Sequence, residues 1–226
     1  MLRRDIVTTA FAAALAGAAA ASSRPVLAAP ARRRAEIRAK DGTRLFHRDW
    51  GEGPTVLFAA SWALSSEMWA YQVAHLSDAG FRCVAYDRRG HGRSDVAAGG
   101  YDMDTLADDM AAVIEQLDLR DAVLVGHSQG GAEAIHYLAR HGSGRVRKIA
   151  LVAPAAPFLL QTADNPYGAP RAVFEARMAE WARDFPKWVA DNAGPFFKPQ
   201  TSPAMRDWLV AQFLATPLPV AIADFK

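Results

Sequence analysis

The sequence predicts an α/β fold in which a mostly parallel sheet carries helices on both faces. Apolar runs with the length and composition of buried strands occur at residues 55–59, 81–86, 122–126 and 146–152. Segments with helical apolar spacing separate these runs, at residues 67–79, 105–117 and 129–140. Glycine or proline follows most of the segments, as expected at element ends. Strands that alternate with helices in this way favour parallel pairing.

Two further strands are predicted ahead of the first buried run. Residues 36–40 and 44–50 both alternate between apolar and polar, and Asp41-Gly42 between them is a turn signal. Together they predict an antiparallel hairpin, so the element order is β-β-β-α-β-α-β-α-β. Asp104 or Thr105 is the expected cap of the second helix.

The chain changes character after Pro154. A loop at residues 165–170 precedes a predicted helix at 171–185, and no strand is evident from there to Lys226. This part is rich in aromatic residues, which include Trp181, Phe185, Trp188, Phe196, Phe197, Trp208 and Phe213. The expected organisation is a core domain at residues 29–153 and a helical cap at 154–226, in which the aromatics pack a core or line a pocket.

Residues 1–28 have the pattern of an export signal. Arg3 and Arg4 precede an Ala-rich run at residues 6–21, and Val26-Leu27-Ala28 offers small residues at the positions that a signal peptidase reads. The paired arginines resemble a twin-arginine signal, so the expected location is periplasmic or secreted. An uncleaved anchor or an Ala-rich tail is the alternative. The Ala-rich run is too short for a stable membrane span, and Thr residues interrupt it.

Charge and cysteine content exclude several classes of function. The net charge of +2 falls to zero without residues 1–28, which carry three Arg and one Asp. The mature chain therefore has no basic bias toward nucleic acid. Cys83 is the only cysteine, which excludes an internal disulfide and a Cys-based metal site, and it is expected to be buried. No metal motif and no cofactor motif is present.

The motif with chemical content is Gly126-His127-Ser128-Gln129-Gly130. A serine hydroxyl is a weak nucleophile, and it must be held exposed, beside a base and near donors for an oxyanion. A tight turn between a strand and a helix holds the serine hydroxyl in this exposed position. That turn leaves no room for side chains two positions before and after the serine. The motif lies between a predicted strand and a predicted helix. Ser128 is therefore the predicted nucleophile, and Gly126 and Gly130 are the glycines that the turn requires.

From residue 55 to residue 197 the chain resembles the α/β-hydrolase superfamily, and in particular its cofactor-free non-heme chloroperoxidase and arylesterase group. The resemblance rests on four blocks in the right order, at residues 85–94, 101–105, 126–130 and 194–197. It implies a small carboxylic ester as substrate and no cofactor. It also implies an oxyanion hole made by the main-chain N–H groups of Gln129 and Trp62. The group usually has His-Gly before the latter residue, where this sequence has Ala60-Ser61.

The same resemblance implies a triad acid and a histidine base that follow the cap, and this sequence shows neither. No acid occurs at residues 154–158, directly after the 146–152 run. Among the six histidines, His91 is the best-placed substitute, but its predicted strand lies two places from the elbow strand, about 10 Å away. His91 is therefore expected to brace its own loop, and the chain to be an incomplete hydrolase, whether a fragment or an inactive product.

Three classes of function remain at this point. The first is a serine ester hydrolase that acts through an acyl-enzyme, with perhydrolysis as an implied side reaction. The second is an inactive or truncated hydrolase-fold protein that binds small molecules. The third, phosphate or dinucleotide binding, rests only on Gly90-His91-Gly92, which lacks the spacing of the nucleotide-binding motif.

Overall fold

A computed structural model describes residues 36–156 and 158–226. The predicted export signal at residues 1–28, and the first residues of the predicted core domain, lie outside this part of the chain. The described residues form a five-stranded mixed sheet, with one helix on one face, two helices on the other, and three more helices in the C-terminal part of the chain.

The main sheet has the strand order β3-β5-β4-β6-β7. Its strands are β3 (His47–Trp50), β4 (Thr55–Ala59), β5 (Arg82–Tyr86), β6 (Ala122–His127) and β7 (Val146–Val152). Only β3 runs antiparallel to its neighbour, and all other pairs are parallel. The predicted α/β architecture is confirmed, and so is the position of β5 two places from β6.

Side chains on the central strands alternate between two cores. In β4, Leu57 and Ala59 join one buried cluster, whereas Val56 and Phe58 join the other. The first cluster packs under α2 (Met103–Gln116) and α3 (Gln129–His141), and the second under α1 (Ala70–Asp78). Cys83 belongs to the second cluster and is fully buried, as expected. Both faces of the central strands are therefore apolar, which explains their continuous apolar sequences.

The predicted hairpin at residues 36–50 is shorter than expected. The paired strands are only β1 (Ile37–Arg38) and β2 (Arg44–Leu45), which form a separate two-stranded sheet. The strand is interrupted at Phe46, whose N–H donates to the side chain of Ser94. Strand β3 then pairs with β5 instead of with β1. An alternating sequence predicts a strand but does not choose its partner.

Three helix boundaries also differ from the prediction. The cap of α2 is Asp102 rather than Asp104 or Thr105, since the Asp102 carboxylate accepts from the Thr105 N–H at 2.9 Å. The first helix begins as a 3-10 turn at Ser66–Trp69 before α1. Helix α4 (Arg171–Asn192) runs past residue 185, with a kink at Asp184 that precedes Pro186.

Helices α4, α5 (Pro203–Leu214) and α6 (Leu218–Ala223) surround an aromatic cluster. Trp181, Phe185 and Val189 are its buried members from α4. The Trp62 ring, from the loop after β4, stacks on the Trp181 ring with centroids 4.5 Å apart. Most of the cap aromatics therefore pack a core, whereas Phe196 is 76% exposed. Leu160 and Ala169 form an isolated bridge in this part of the chain, where no strand was predicted.

Strand β7 lies at an edge of the sheet as described. Its last two residues, Leu151 and Val152, are 41% and 46% exposed.

Within residues 36–156 and 158–226, no helix is both long and apolar enough to cross a membrane.

Candidate active site

Ser128 stands between β6 and α3, at the turn that the motif predicts. Its backbone has φ 53° and ψ −116°, a conformation that costs a residue with a side chain of order 1–3 kcal/mol. The surrounding hydrogen bonds hold it there. The Ser128 N–H donates to the Val152 carbonyl at 3.1 Å, and the Ser128 carbonyl accepts from the Ala155 N–H at 2.9 Å. The end of β7 therefore fixes the turn from one side.

The glycines of the turn lie where no side chain fits. A Cβ at Gly126 would lie 2.6 Å from the Gly131 Cα atom, and a Cβ at Gly130 would lie 2.6 Å from the Ala60 carbonyl oxygen. A Cβ at Gly131 would lie 2.7 Å from the Pro154 Cβ atom. The last contact extends the need for glycine to a third position. Close approach of α3 to β4 and β6 thus depends on all three residues.

Two residues are expected to donate to an oxyanion, Gln129 at the start of α3 and Trp62 on the loop after β4. Ala59, three residues before Trp62, pairs with Gly126 at the ends of β4 and β6. Among the described residues, no acceptor takes a hydrogen bond from the main-chain N–H of Trp62 or of Gln129. Neither main-chain N–H group is therefore occupied by a hydrogen bond to another described residue.

The loop that carries Trp62 does not need the glycine that the resembled group has before it. The left-handed residue of this turn is Ala63, with φ 55°, and Ser61 does not have a positive φ. The Leu64 N–H closes the turn on the Ser61 carbonyl at 3.3 Å. Sequence departure at Ala60-Ser61 is therefore compatible with a closed turn at Trp62.

A buried ion pair lies beneath both loops. The Arg88 guanidinium donates to the Ala60 carbonyl at 2.9 Å and to the Ser61 carbonyl at 3.3 Å, and it pairs with Glu133 of α3. The Tyr86 hydroxyl donates to the other Glu133 oxygen at 3.0 Å. Burial raises the pKa of Glu133 to about 7, against the opposing effect of Arg88. Arg88 therefore connects the Trp62 loop to the helix that follows Ser128.

His91 braces its own loop, as the sequence predicted. It is fully buried, and its Nδ1–H donates to the Arg89 carbonyl at 2.9 Å. Its Nε2 atom lies 3.5 Å from an Asp224 carboxylate oxygen. Burial lowers the pKa of His91 to about 4, and Arg88 acts in the same direction. A neutral, fully enclosed imidazole with this orientation is unsuited to take a proton from Ser128.

The histidines near the motif also have other surroundings. His136 lies 3.6 Å from Asp104, and His141 lies 2.8 Å from Asp108, so both face α2. Burial lowers the pKa of His127, whose Nδ1 atom is enclosed without a partner among the described residues. No hydrogen bond within residues 36–156 and 158–226 joins a histidine to the Ser128 hydroxyl.

Asp224 is the residue of this region that sequence reasoning missed. Its side chain is fully buried, and it accepts from the Gln129 Nε2–H at 2.7 Å. The position carried no motif, because the contact joins residues 95 positions apart. Within the described part of the chain, no group of His, Cys, Asp or Glu side chains is arranged to hold a metal ion.

Comparison with known proteins identifies the family. Residues 54–207, more than half of the chain, match the family described as alpha/beta hydrolase fold. The chain belongs to the α/β-hydrolase family. Within this family, the resemblance to the non-heme chloroperoxidase group is confirmed. A non-heme haloperoxidase of Rhodococcus erythropolis is 45% identical over 162 residues, which cover 71% of this chain and 59% of the relative.

Further α/β-hydrolases extend the likeness to esterases. A bifunctional esterase/perhydrolase of Acinetobacter calcoaceticus is 42% identical over 71% of this chain and 59% of its own length. The solved esterase of Exiguobacterium antarcticum superimposes with a TM-score of 0.81 at 32% identity, over 84% of this chain and 71% of that one. The chain therefore spans under two thirds of the length of these curated relatives.

Proposed function

We propose that the chain carries the nucleophile and the oxyanion hole of a serine hydrolase that acts on small carboxylic esters. The observation that carries the proposal is the strained backbone of Ser128 at a strand-to-helix turn closed by three glycines. A fold without a need for an exposed serine gains nothing from this conformation. The similarity of the chain to an esterase and to an esterase/perhydrolase supports small carboxylic esters as the substrate class.

In the proposed reaction the Ser128 Oγ atom attacks the carbonyl carbon of the ester. The negative charge that develops on the carbonyl oxygen is stabilised by the main-chain N–H groups of Gln129 and Trp62. The alcohol leaves with a proton, and an acyl group remains on Ser128. Water then releases the carboxylic acid. Hydrogen peroxide in place of water would release a peracid, which is the perhydrolysis that similarity to the esterase/perhydrolase suggests.

Both steps need a base, and the described residues do not offer one. His91 is enclosed beside Asp224, and His136 and His141 face α2. We therefore propose that the base and its orienting acid come from outside residues 36–226. General-base assistance typically contributes about 10²–10⁴-fold to the rate. The oxyanion hole and substrate binding alone retain about 10³–10⁴-fold over water.

Hydrolysis of p-nitrophenyl acetate by three proteins tests the proposal. They are the 226-residue chain, its Ser128→Ala variant, and the chain extended by the C-terminal segment of a relative. We expect the first two to hydrolyse the ester at nearly equal rates, both far below the rate of the extended protein. The extended protein should turn over, and Ser128→Ala within it should abolish turnover. Peracid formation from acetate and hydrogen peroxide by the same extended protein tests perhydrolysis.

Two results would contradict this. Turnover by the unextended chain that Ser128→Ala removes would place a base within residues 1–226, and His91→Ala would then be the first variant to measure. Failure of the extended protein, with a correctly folded elbow and bound ester, would favour the second class, a hydrolase-fold protein that binds small molecules without catalysis.

We also propose that the protein is exported, on the basis of Arg3-Arg4, the Ala-rich run and Val26-Leu27-Ala28. Fractionation of expressing cells and sequencing of the mature N-terminus test this. A cytosolic product that still begins at Met1 would disprove it.

A further inference from the structure

We propose that Asp224 is a positioning residue for the oxyanion hole, which acts by fixing the side chain of Gln129. The inference deepens the proposed function and rests on it, because Gln129 matters to the reaction only if its main-chain N–H receives the oxyanion. The proposal concerns residues on opposite sides of the site, since Gln129 begins α3 and Asp224 follows α6.

The contact is short and enclosed. One Asp224 oxygen accepts from the Gln129 Nε2–H at 2.7 Å, and both residues are buried. Gln129 is the first residue of α3, so its main-chain orientation has no preceding helical turn to fix it. A hydrogen bond between its side chain and a buried carboxylate supplies a constraint at that point, and bonds to charged groups are the stronger ones.

The segment that carries Asp224 also contacts the loop of the second donor. The Trp62 indole N–H donates to the Ala221 carbonyl at 3.0 Å, and the Thr216 hydroxyl donates to the Ala63 carbonyl at 3.0 Å. Residues 216–224 thus make one bond to the Gln129 side chain and two to the Trp62 turn. One short segment therefore sets both candidate donors relative to each other.

The surroundings of Asp224 explain why a carboxylate is tolerated there. Arg88 lies 3.7 Å from its second oxygen, whereas the Nε2 atom of neutral His91, 3.5 Å from the same oxygen, carries no proton to donate to it. That oxygen has no hydrogen-bond partner among the described residues. A buried carboxyl oxygen without a hydrogen-bond partner is destabilising, so this group is a poor device for stability alone. A buried polar group of this kind calls for a specific reason, and positioning of Gln129 is one.

Nuclear magnetic resonance of the 226-residue chain in dilute solution tests the contact directly. The chain has six glutamines, so selective ¹⁵N-glutamine labelling gives few amide signals, and Gln129→Leu assigns the one of interest. We expect Asp224→Ala to displace the main-chain amide signal of Gln129 more than that of any other glutamine. Asp224→Asn should restore its position, because the Asn oxygen still accepts from Gln129.

Thr216→Val is the matched control. It removes a buried hydrogen bond from the same segment, so it loosens α6 without touching Gln129. We expect the Gln129 signal to keep its wild-type position in this variant. An equal displacement in Thr216→Val would mean that Asp224 acts only by holding the segment, and would overturn the proposal.

A kinetic arm uses the active, extended protein. Loss of one oxyanion donor costs about 10²–10³ in kcat, so a displaced donor in Asp224→Ala should lower kcat at least about tenfold with KM little changed. Asp224→Asn should stay within about threefold of wild type. If Asp224→Ala does not fold, Gln129→Leu removes the same contact, keeps the main-chain donor, and should lower kcat similarly.

The two failures are distinguishable. Turnover that depends on Ser128 but not on Asp224, with an unmoved Gln129 signal, overturns the positioning proposal and leaves the proposed function intact. A displaced Gln129 signal without turnover that depends on Ser128 overturns the proposed function, and the Asp224–Gln129 constraint stands alone.

Discussion

Gly130→Ala is the change that tests the geometry of the turn most directly. A Cβ atom at this position would lie 2.6 Å from the Ala59 carbonyl carbon and 2.6 Å from the Ala60 carbonyl oxygen. Both are main-chain atoms at the end of β4, so no side-chain rotation relieves the overlap. Either α3 or the end of β4 must move by about an ångström to restore ordinary contact distances of roughly 3.5 Å.

The expected cost follows from what must move. Added methyl groups in packed interiors typically cost about 1–3 kcal/mol, and sites where flexible neighbours can yield lie at the low end. Here the neighbour is the strand that pairs with β6 on one side and β5 on the other. We therefore expect Gly130→Ala to lower the free energy of unfolding by about 3 kcal/mol or more.

Gly144→Ala provides the matched control, because a Cβ there meets no atom within 4 Å. It should be neutral or stabilising by up to about 1 kcal/mol, since alanine restricts the unfolded chain. Urea denaturation followed by tryptophan fluorescence measures both variants. A Gly130→Ala free energy within about 0.5 kcal/mol of wild type would show that the two backbones are not in contact as described.

Three further predictions follow from particular contacts. Asp102→Ala, which removes the side-chain cap of α2, should lower the free energy of unfolding by about 1 kcal/mol in the same urea assay. Between pH 6.5 and about 4 the unfolded chain binds a proton at His91 that the folded chain does not, so stability from this group is present above pH 6.5 and is lost as pH falls. Relative to His91→Gln, the wild type should therefore lose up to roughly 3 kcal/mol of unfolding free energy across that window. Urea denaturation of both proteins at each pH is compared, because Glu133, with its raised pKa, makes stability change with pH in the opposite direction in both. Exposed Leu151 and Val152 on edge strand β7 should make the chain self-associate as concentration rises, and a Leu151→Lys, Val152→Lys variant should elute as a monomer in size-exclusion chromatography where the wild type does not.

The central sheet could be predicted because its signals are local. Strands buried on both faces are continuous apolar runs, and the helices between them have a distinct apolar period. The turn at Ser128 was predictable for the same reason, since glycine at Gly126 and Gly130 reports a steric need within five residues. Such features are written in consecutive residues and need no knowledge of distant partners.

The features that were missed depend on distant partners. Alternation at residues 44–50 predicted one strand, but Phe46 turns away to Ser94 and the chain changes sheets. The missed cap of α2 is the exception, because Asp102 bonds Thr105 only three residues away, and Asp102, Asp104 and Thr105 are all suitable cap residues by type. Asp224 lies 95 residues from its partner in a segment without strand or motif. Sequence spacing carries no record of such contacts.

Buried polar groups connect the nucleophile turn to the segment after α6. Arg88 binds the carbonyls before Trp62 and pairs with Glu133 on the helix after Ser128. Asp224, directly after α6, binds Gln129 on that same helix. Each group is enclosed, so removal of any one leaves a buried polar partner unsatisfied, at a cost of about 1–3 kcal/mol. Arg88 and Asp224 therefore connect both candidate oxyanion donors to one buried polar cluster, which also includes Glu133.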